Sequence, residues 1–193
     1  MYPEIHEIYE EQDIQLHLAC PHLVRAAEIC IGENEVQANI IRTLSVLSEH
    51  PGCCEQLAES AARLGILIGP VGDKFSGEKP LGPLIRLGYV LGNIMARHDS
   101  ARSQFFNNDV AMEYLLQSLD YYSQKNFSKS NQTGDTIIDV LIKLVRVIAN
   151  MSVNNEVGYG LGIKAPLGSV LLTLLLAANN SKSNLVRFFT TKI

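Results

Sequence analysis

Three segments of the chain carry the same alternation of apolar and polar positions and align without gaps. They begin at Asn39, Arg86 and Lys143 and end at His50, Arg97 and Asn154. Ile40, Leu87 and Leu144 coincide, as do Leu44, Leu91 and Ile148, and then Leu47, Ile94 and Met151. Spacings of four and three residues place each set on one helical face. The pattern therefore predicts three amphipathic helices with their apolar stripes in a shared core. A small row, Ser45, Gly92 and Ala149, flanks the stripe and predicts that neighbouring helices approach closely there. A polar or mixed family lies about a quarter turn away. It holds Asn39/Arg86/Lys143, Arg42/Tyr89/Arg146, Val46/Asn93/Asn150 and His50/Arg97/Asn154, and is the face expected to meet solvent or a partner.

Turn signals close each segment: His50-Pro-Gly, Arg97-His-Asp and Asn154-Asn-Glu. A second helix is expected after each, over 53–68, 100–106 and 156–161. A further apolar helix is expected over 21–31, 110–122 and 167–178. Gly158-Tyr-Gly-Leu-Gly162 weakens the third second-helix assignment and reads as a turn between helices. Residues 69–79 and 125–135 are poor in apolar side chains and read as exposed loops. No strand-length alternation stands out. The reading is all-α: an acidic, partly helical segment over 1–20, a repeat domain over 21–178 and a tail over 179–193.

A helical unit of about 40 to 47 residues is the armadillo/HEAT signature. The fold expected is an α-solenoid of about three repeats plus a partial fourth. Leu44-Ser-Val-Leu-Ser, Leu91-Gly-Asn-Ile and Ile148-Ala-Asn-Met-Ser resemble the third helix of an armadillo repeat. That resemblance implies a non-enzymatic scaffold that binds protein partners along the groove formed by the stacked third helices. On that groove face the candidate contact residues are Arg42, Tyr89, Asn93, Arg146 and Asn150. The bland alternative for Asn93 and Asn150 is that they satisfy a loop carbonyl or cap a neighbouring turn. Arg42 and Arg146 have their own bland reading as solvated surface charges. Residues 144–158 are most similar to an armadillo protein of ciliated cells. This implies a cytoplasmic protein that helps build the axoneme of cilia and sperm flagella; an armadillo adaptor in small-GTPase or cytoskeletal regulation is the alternative. Importin-type armadillo proteins pair Trp with Asn four residues apart to grip basic peptides. Here Tyr89 and Arg146 stand four residues before Asn93 and Asn150, and Arg repels a basic peptide.

Composition adds exclusions. The 193 residues carry a net charge of −4, 47% hydrophobic residues and no Trp. The acidic balance argues against non-specific binding to nucleic acid or anionic membrane. The longest apolar run, 167–178, is too short for membrane insertion. It looks like the second helix of a repeat whose third is missing. The chain is therefore expected to be a fragment or short isoform of a longer array, its last apolar face covered by more chain, a partner or self-association.

No cofactor or metal is expected. Gly72-Asp-Lys-Phe-Ser-Gly77-Glu-Lys79 fails as a phosphate loop because Glu78 stands where Lys is required. His17-Leu-Ala-Cys20-Pro-His22 and His50-Pro-Gly-Cys53-Cys54 each concentrate ligand types, but neither shows the second pair a structural zinc site needs. With no export signal at the N-terminus, the four cysteines read as reduced, buried thiols that pack as small apolar groups.

Overall fold

The computed structural model describes residues 3–70, 80–125 and 136–163 with Gly168, and side chains from Leu16 onward. Among them the helices follow in the order α1 (Pro3–Ile29), α2 (Asn34–Leu47), α3 (Pro51–Ala58), α4 (Ala61–Ile66), α5 (Leu81–Arg97), α6 (Asp99–Phe106), α7 (Asp109–Ser123), α8 (Ile137–Met151) and α9 (Asn155–Ile163). The repeated segments are the bodies of α2, α5 and α8, which form a ladder with α5 in the middle. A second layer stacks α4 on α7, and the short α6 meets α9. Two complete three-helix units, α3–α5 and α6–α8, are thus flanked by α1–α2 and by α9. The architecture is an armadillo-like all-α solenoid.

The apolar rows meet as their spacing requires. Leu44 and Leu91 are fully buried, and Ile148, Leu87, Leu144, Ile94 and Met151 are buried with them in one continuous cluster. Ile40 and Leu47 are only half-buried and pack against that cluster. They belong to α2, which has a ladder neighbour on one side, whereas α5 is covered on both.

Local chemistry sets several helix starts. Thr136 and Asp139 form a reciprocal capping box at α8, with Thr136 Oγ1 accepting from the Asp139 amide at 3.1 Å. Asn108 Oδ1 accepts from the Ala111 amide at 2.9 Å and starts α7. Asn154, grouped with the groove face by sequence, accepts from the Val157 amide at 3.0 Å and starts α9.

Four expectations need correction. The helix expected over 53–68 is two helices, α3 and α4, which meet at Glu59 and Ser60. No Gly or Pro marks the break. Leu57, Ala58, Ser60, Ala61 and Leu64 are all buried, so packing on both sides of the corner imposes it. The glycine-rich 158–162 stretch is helical rather than a turn. Val157 and Leu161, one turn apart, are buried, and that burial outweighs the ~1 kcal/mol helix penalty of each glycine. The helix expected to start at Pro21 is part of α1, which runs through it and across the 20/21 boundary. Pro21 is exposed, so the backbone bond it removes is lost on the solvent side. The small row does not mark one uniform contact. Gly92 is buried against the Arg146 side chain, but Ala149 is exposed. The closest approach falls at Gly88, where a Cβ would sit 2.8 Å from that of Lys143. Of the loops expected over 69–79 and 125–135, residues 71–79 and 126–135 lie outside the described residues, as do the 167–178 helix apart from Gly168 and the 179–193 tail.

Candidate functional site

The polar faces of α2, α5 and α8 lie side by side, and their side chains answer one another across the ladder. Arg146 on α8 donates through Nη2 to Asn93 Oδ1 on α5 at 3.0 Å. Asn93 donates through Nδ2 to Ser48 Oγ, just past α2, at 3.0 Å, and Ser48 donates onward to the Ser45 carbonyl at 2.8 Å. Four residues further along α8, Asn150 donates to the Gly92 carbonyl at 2.8 Å. Asn93 is 8% exposed, so its amide is spent inside the molecule. Asn150 is half-buried and likewise partnered across the ladder.

Beside this chain stands an aromatic and cationic cluster. Lys143 Nζ lies 5.0 Å from the centre of the Tyr89 ring and Arg146 Cζ lies 5.6 Å from it, both within cation–π range. Tyr89 donates its hydroxyl to Glu49 Oε1 at 3.1 Å. Burial, with the charge of Arg146 beside it, pulls the Lys143 ammonium below its ordinary pKa. Arg86 is half-buried one turn from Tyr89, and Arg42 is exposed on α2. The arrangement can receive negative charge: Arg146 offers a donor fork, Lys143 a compact cation, and Tyr89 a flat surface between them.

Of the five residues named from sequence, Tyr89, Asn93 and Arg146 are brought into one cluster. Asn150 extends it by a turn of α8, and Arg42 stands on the same ladder without a contact to the other four among those described. Sequence missed Ser48 and Glu49, because their partners lie forty or more positions away and leave no local pattern. Lys143 was visible as the row-mate of Arg86 but had no reason to be singled out. At the far end of the ladder, Asn154 donates to both carboxylate oxygens of Asp99 at 2.9 Å. Those bonds, helped by Arg102, hold the Asp99 carboxyl below its usual pKa.

Away from the groove, α1 and the first turn of α3 bring the two His/Cys clusters together. Potential ligand atoms of His17, His50 and Cys53 lie within 4.8 Å of one another. Cys20, one turn from His17 on α1, is fully buried beside Cys53 and Cys54. Burial, reinforced by Cys53 and Cys54, pushes its thiol up to about 12.

Repeat-wise stacking of third helices matches an armadillo array, and comparison with known proteins agrees. The chain is 30% identical over 176 residues to armadillo repeat-containing protein 2 of Bos taurus, covering 86% of this chain and 20% of that protein. It is 30% identical over 169 residues to the Homo sapiens protein of the same name, covering 81% of this chain and 19% of that one. Over most of its length the chain is thus similar to armadillo-repeat proteins. It spans about a fifth of the length of the curated armadillo relatives it matches. No family model and no solved structure matches it. Among the described residues, no armadillo helix is long and apolar enough to cross a membrane.

Proposed function

We propose that this chain is a non-enzymatic interaction scaffold whose third-helix groove holds an acidic segment of a protein partner, in the cytoplasmic assembly of the axoneme of cilia or flagella. The observation that carries the groove assignment is the Tyr89 ring flanked by Lys143 and Arg146, in a chain whose overall charge has the opposite sign. Two cations share that ring, and their mutual repulsion is relieved by an incoming carboxylate. Arg42 and Arg86 extend the positive track along the ladder. The ciliary part of the reading rests on the likeness to armadillo repeat-containing protein 2 and on the 144–158 passage.

The groove is tested with a fluorescent Glu-rich peptide and a Lys-rich peptide of equal length. The acidic peptide is expected to bind and to weaken as salt rises. Tyr89→Ala combined with Arg146→Ala is expected to abolish binding while circular dichroism stays helical. Equal binding of the Lys-rich peptide, or unchanged binding by the folded double variant, removes these residues from the site. The cellular reading is tested by pull-down from ciliated against non-ciliated cells. Recovery of axonemal components from the first alone, lost in the double variant, is expected. The same partners from both cell types would sink the ciliary assignment.

A further inference from the structure

We propose that His17, Cys20, His50 and Cys53 bind a zinc ion that ties α1 to the start of α3. The residues form two copies of one spacing, His17-Leu-Ala-Cys20 and His50-Pro-Gly-Cys53. Each copy is the second pair that the other lacks along the chain. His17 and Cys20 lie three apart on α1 and so share a face. His50 precedes α3 and Cys53 stands in its first turn.

The geometry supports a common centre. Ligand atoms of His17, His50 and Cys53 come within 4.8 Å of one another. Cys20, one turn along α1 from His17 and fully buried, lies next to Cys53 at the inner end of the cluster and outside that 4.8 Å set, its thiol donating to the Leu16 carbonyl at 3.5 Å. The two imidazoles, with centroids 5.9 Å apart and planes tilted by 49°, converge instead of stacking. His17 Nε2 is buried with no hydrogen-bond partner, a condition that a buried nitrogen rarely keeps. Its ring lies directly on Gly52, in the middle of the second pair. Any Cβ there would collide with Nε2 and Cε1, so the glycine makes room for the imidazole between His50 and Cys53.

The donor chemistry selects the metal. Two thiolates and two imidazoles suit tetrahedral zinc, whereas oxygen-seeking cations find nothing to bind in this set. Four protein ligands leave no open position, so the site is structural. Cys54, although adjacent to Cys53, interacts with Arg97 on α5 and stands outside the set.

The test uses the full chain, purified under reducing conditions and titrated with Co2+ and then Zn2+. One metal per chain is expected, with thiolate-to-cobalt charge-transfer and tetrahedral ligand-field bands that Zn2+ bleaches. Cys53→Ser and His17→Gln are expected to lower affinity by roughly tenfold or more, the scale on which even supporting residues act. Cys54→Ser is expected to leave affinity unchanged. Gly52→Ala retains all four donors and is expected to weaken binding by displacing His17. Zn2+ is expected to raise the melting temperature of the parent chain but not of Cys53→Ser. The proposal is overturned if the reduced parent chain gives no charge-transfer bands. It is equally overturned if Cys20→Ser combined with Cys53→Ser binds as the parent does. Protection by a Cys20–Cys53 disulfide, seen as two thiols lost with no metal taken up by the reduced chain, also refutes it.

Discussion

Asn93 is an amide with both ends in use. Its oxygen accepts a hydrogen bond from Arg146 and its nitrogen donates one to Ser48, so the flip state is fixed by chemistry on both sides. Truncation takes the acceptor from an Arg146 guanidinium hydrogen and the donor from the buried Ser48 oxygen, whose own hydroxyl keeps its bond to the Ser45 carbonyl. Asn93→Ala is therefore expected to cost about 1–3 kcal/mol of stability by urea unfolding. Glu28 gives a weaker case with a pH signature. It sits in the last turn of α1, where the helix dipole disfavours a carboxylate, and Arg63 answers it with two contacts of 2.6 and 2.8 Å. The hydrogen bond from Arg63 lowers the Glu28 pKa from its ordinary 4.5. Because the folded value is the depressed one, the contribution is present above pH 4.5 and lost as pH falls through the folded value. The side chains are 43% and 32% exposed, which limits the pair to less than about 1 kcal/mol. Glu28→Gln should thus differ slightly from the parent at pH 7 and coincide with it near the acid limit of folding, as read by denaturant midpoints.

At the scale of the helix, legibility followed from how local the determining signal is. α2, α5 and α8 could be read because their apolar rows repeat within a few turns. The caps at Asn108 and Thr136 are equally local, although sequence reading did not single them out. The α3–α4 corner could not be read, since no breaker stands at Glu59-Ser60 and the bend answers to side chains buried from either direction. The groove was half legible: Tyr89, Asn93 and Arg146 stood in the polar rows, but Ser48 and Glu49 become neighbours only once the ladder exists. Gly88 was overshadowed by Gly92, one turn on, because the alignment highlights a small row rather than a point of contact. Gly88→Ala gains helix propensity of roughly 1 kcal/mol. It also drives a methyl to 2.8 Å from the Lys143 Cβ and 3.4 Å from its carbonyl carbon, neither of which can swing away. The collision is expected to win, with net destabilisation of about 1–3 kcal/mol measured by thermal or urea unfolding.

For the molecule as a whole, one buried cluster runs from α1 to α9, so the units share a core instead of stacking as separate modules. Leu91 lies at its centre, fully buried on the helix covered from both sides. Leu91→Ala is expected to cost about 2–5 kcal/mol. Unfolding should remain a single transition, with circular dichroism and tyrosine fluorescence superimposing, because each unit depends on its neighbour for cover. Separate transitions would mean that the two flanks of α5 fold independently.

The hydrogen-bonded run from Arg146 through Asn93 to Ser48 also constrains what the groove can accept. A bare anion that pulls the guanidinium away leaves a sheltered carbonyl oxygen with one admirer fewer and must overcome that loss. A guest that brings an N–H alongside its negative charge can replace the departed donor in the same stroke. Every acidic residue in an extended peptide carries such an amide next to its side chain, so under the proposed function this surface is expected to favour polypeptide over free phosphate or acetate.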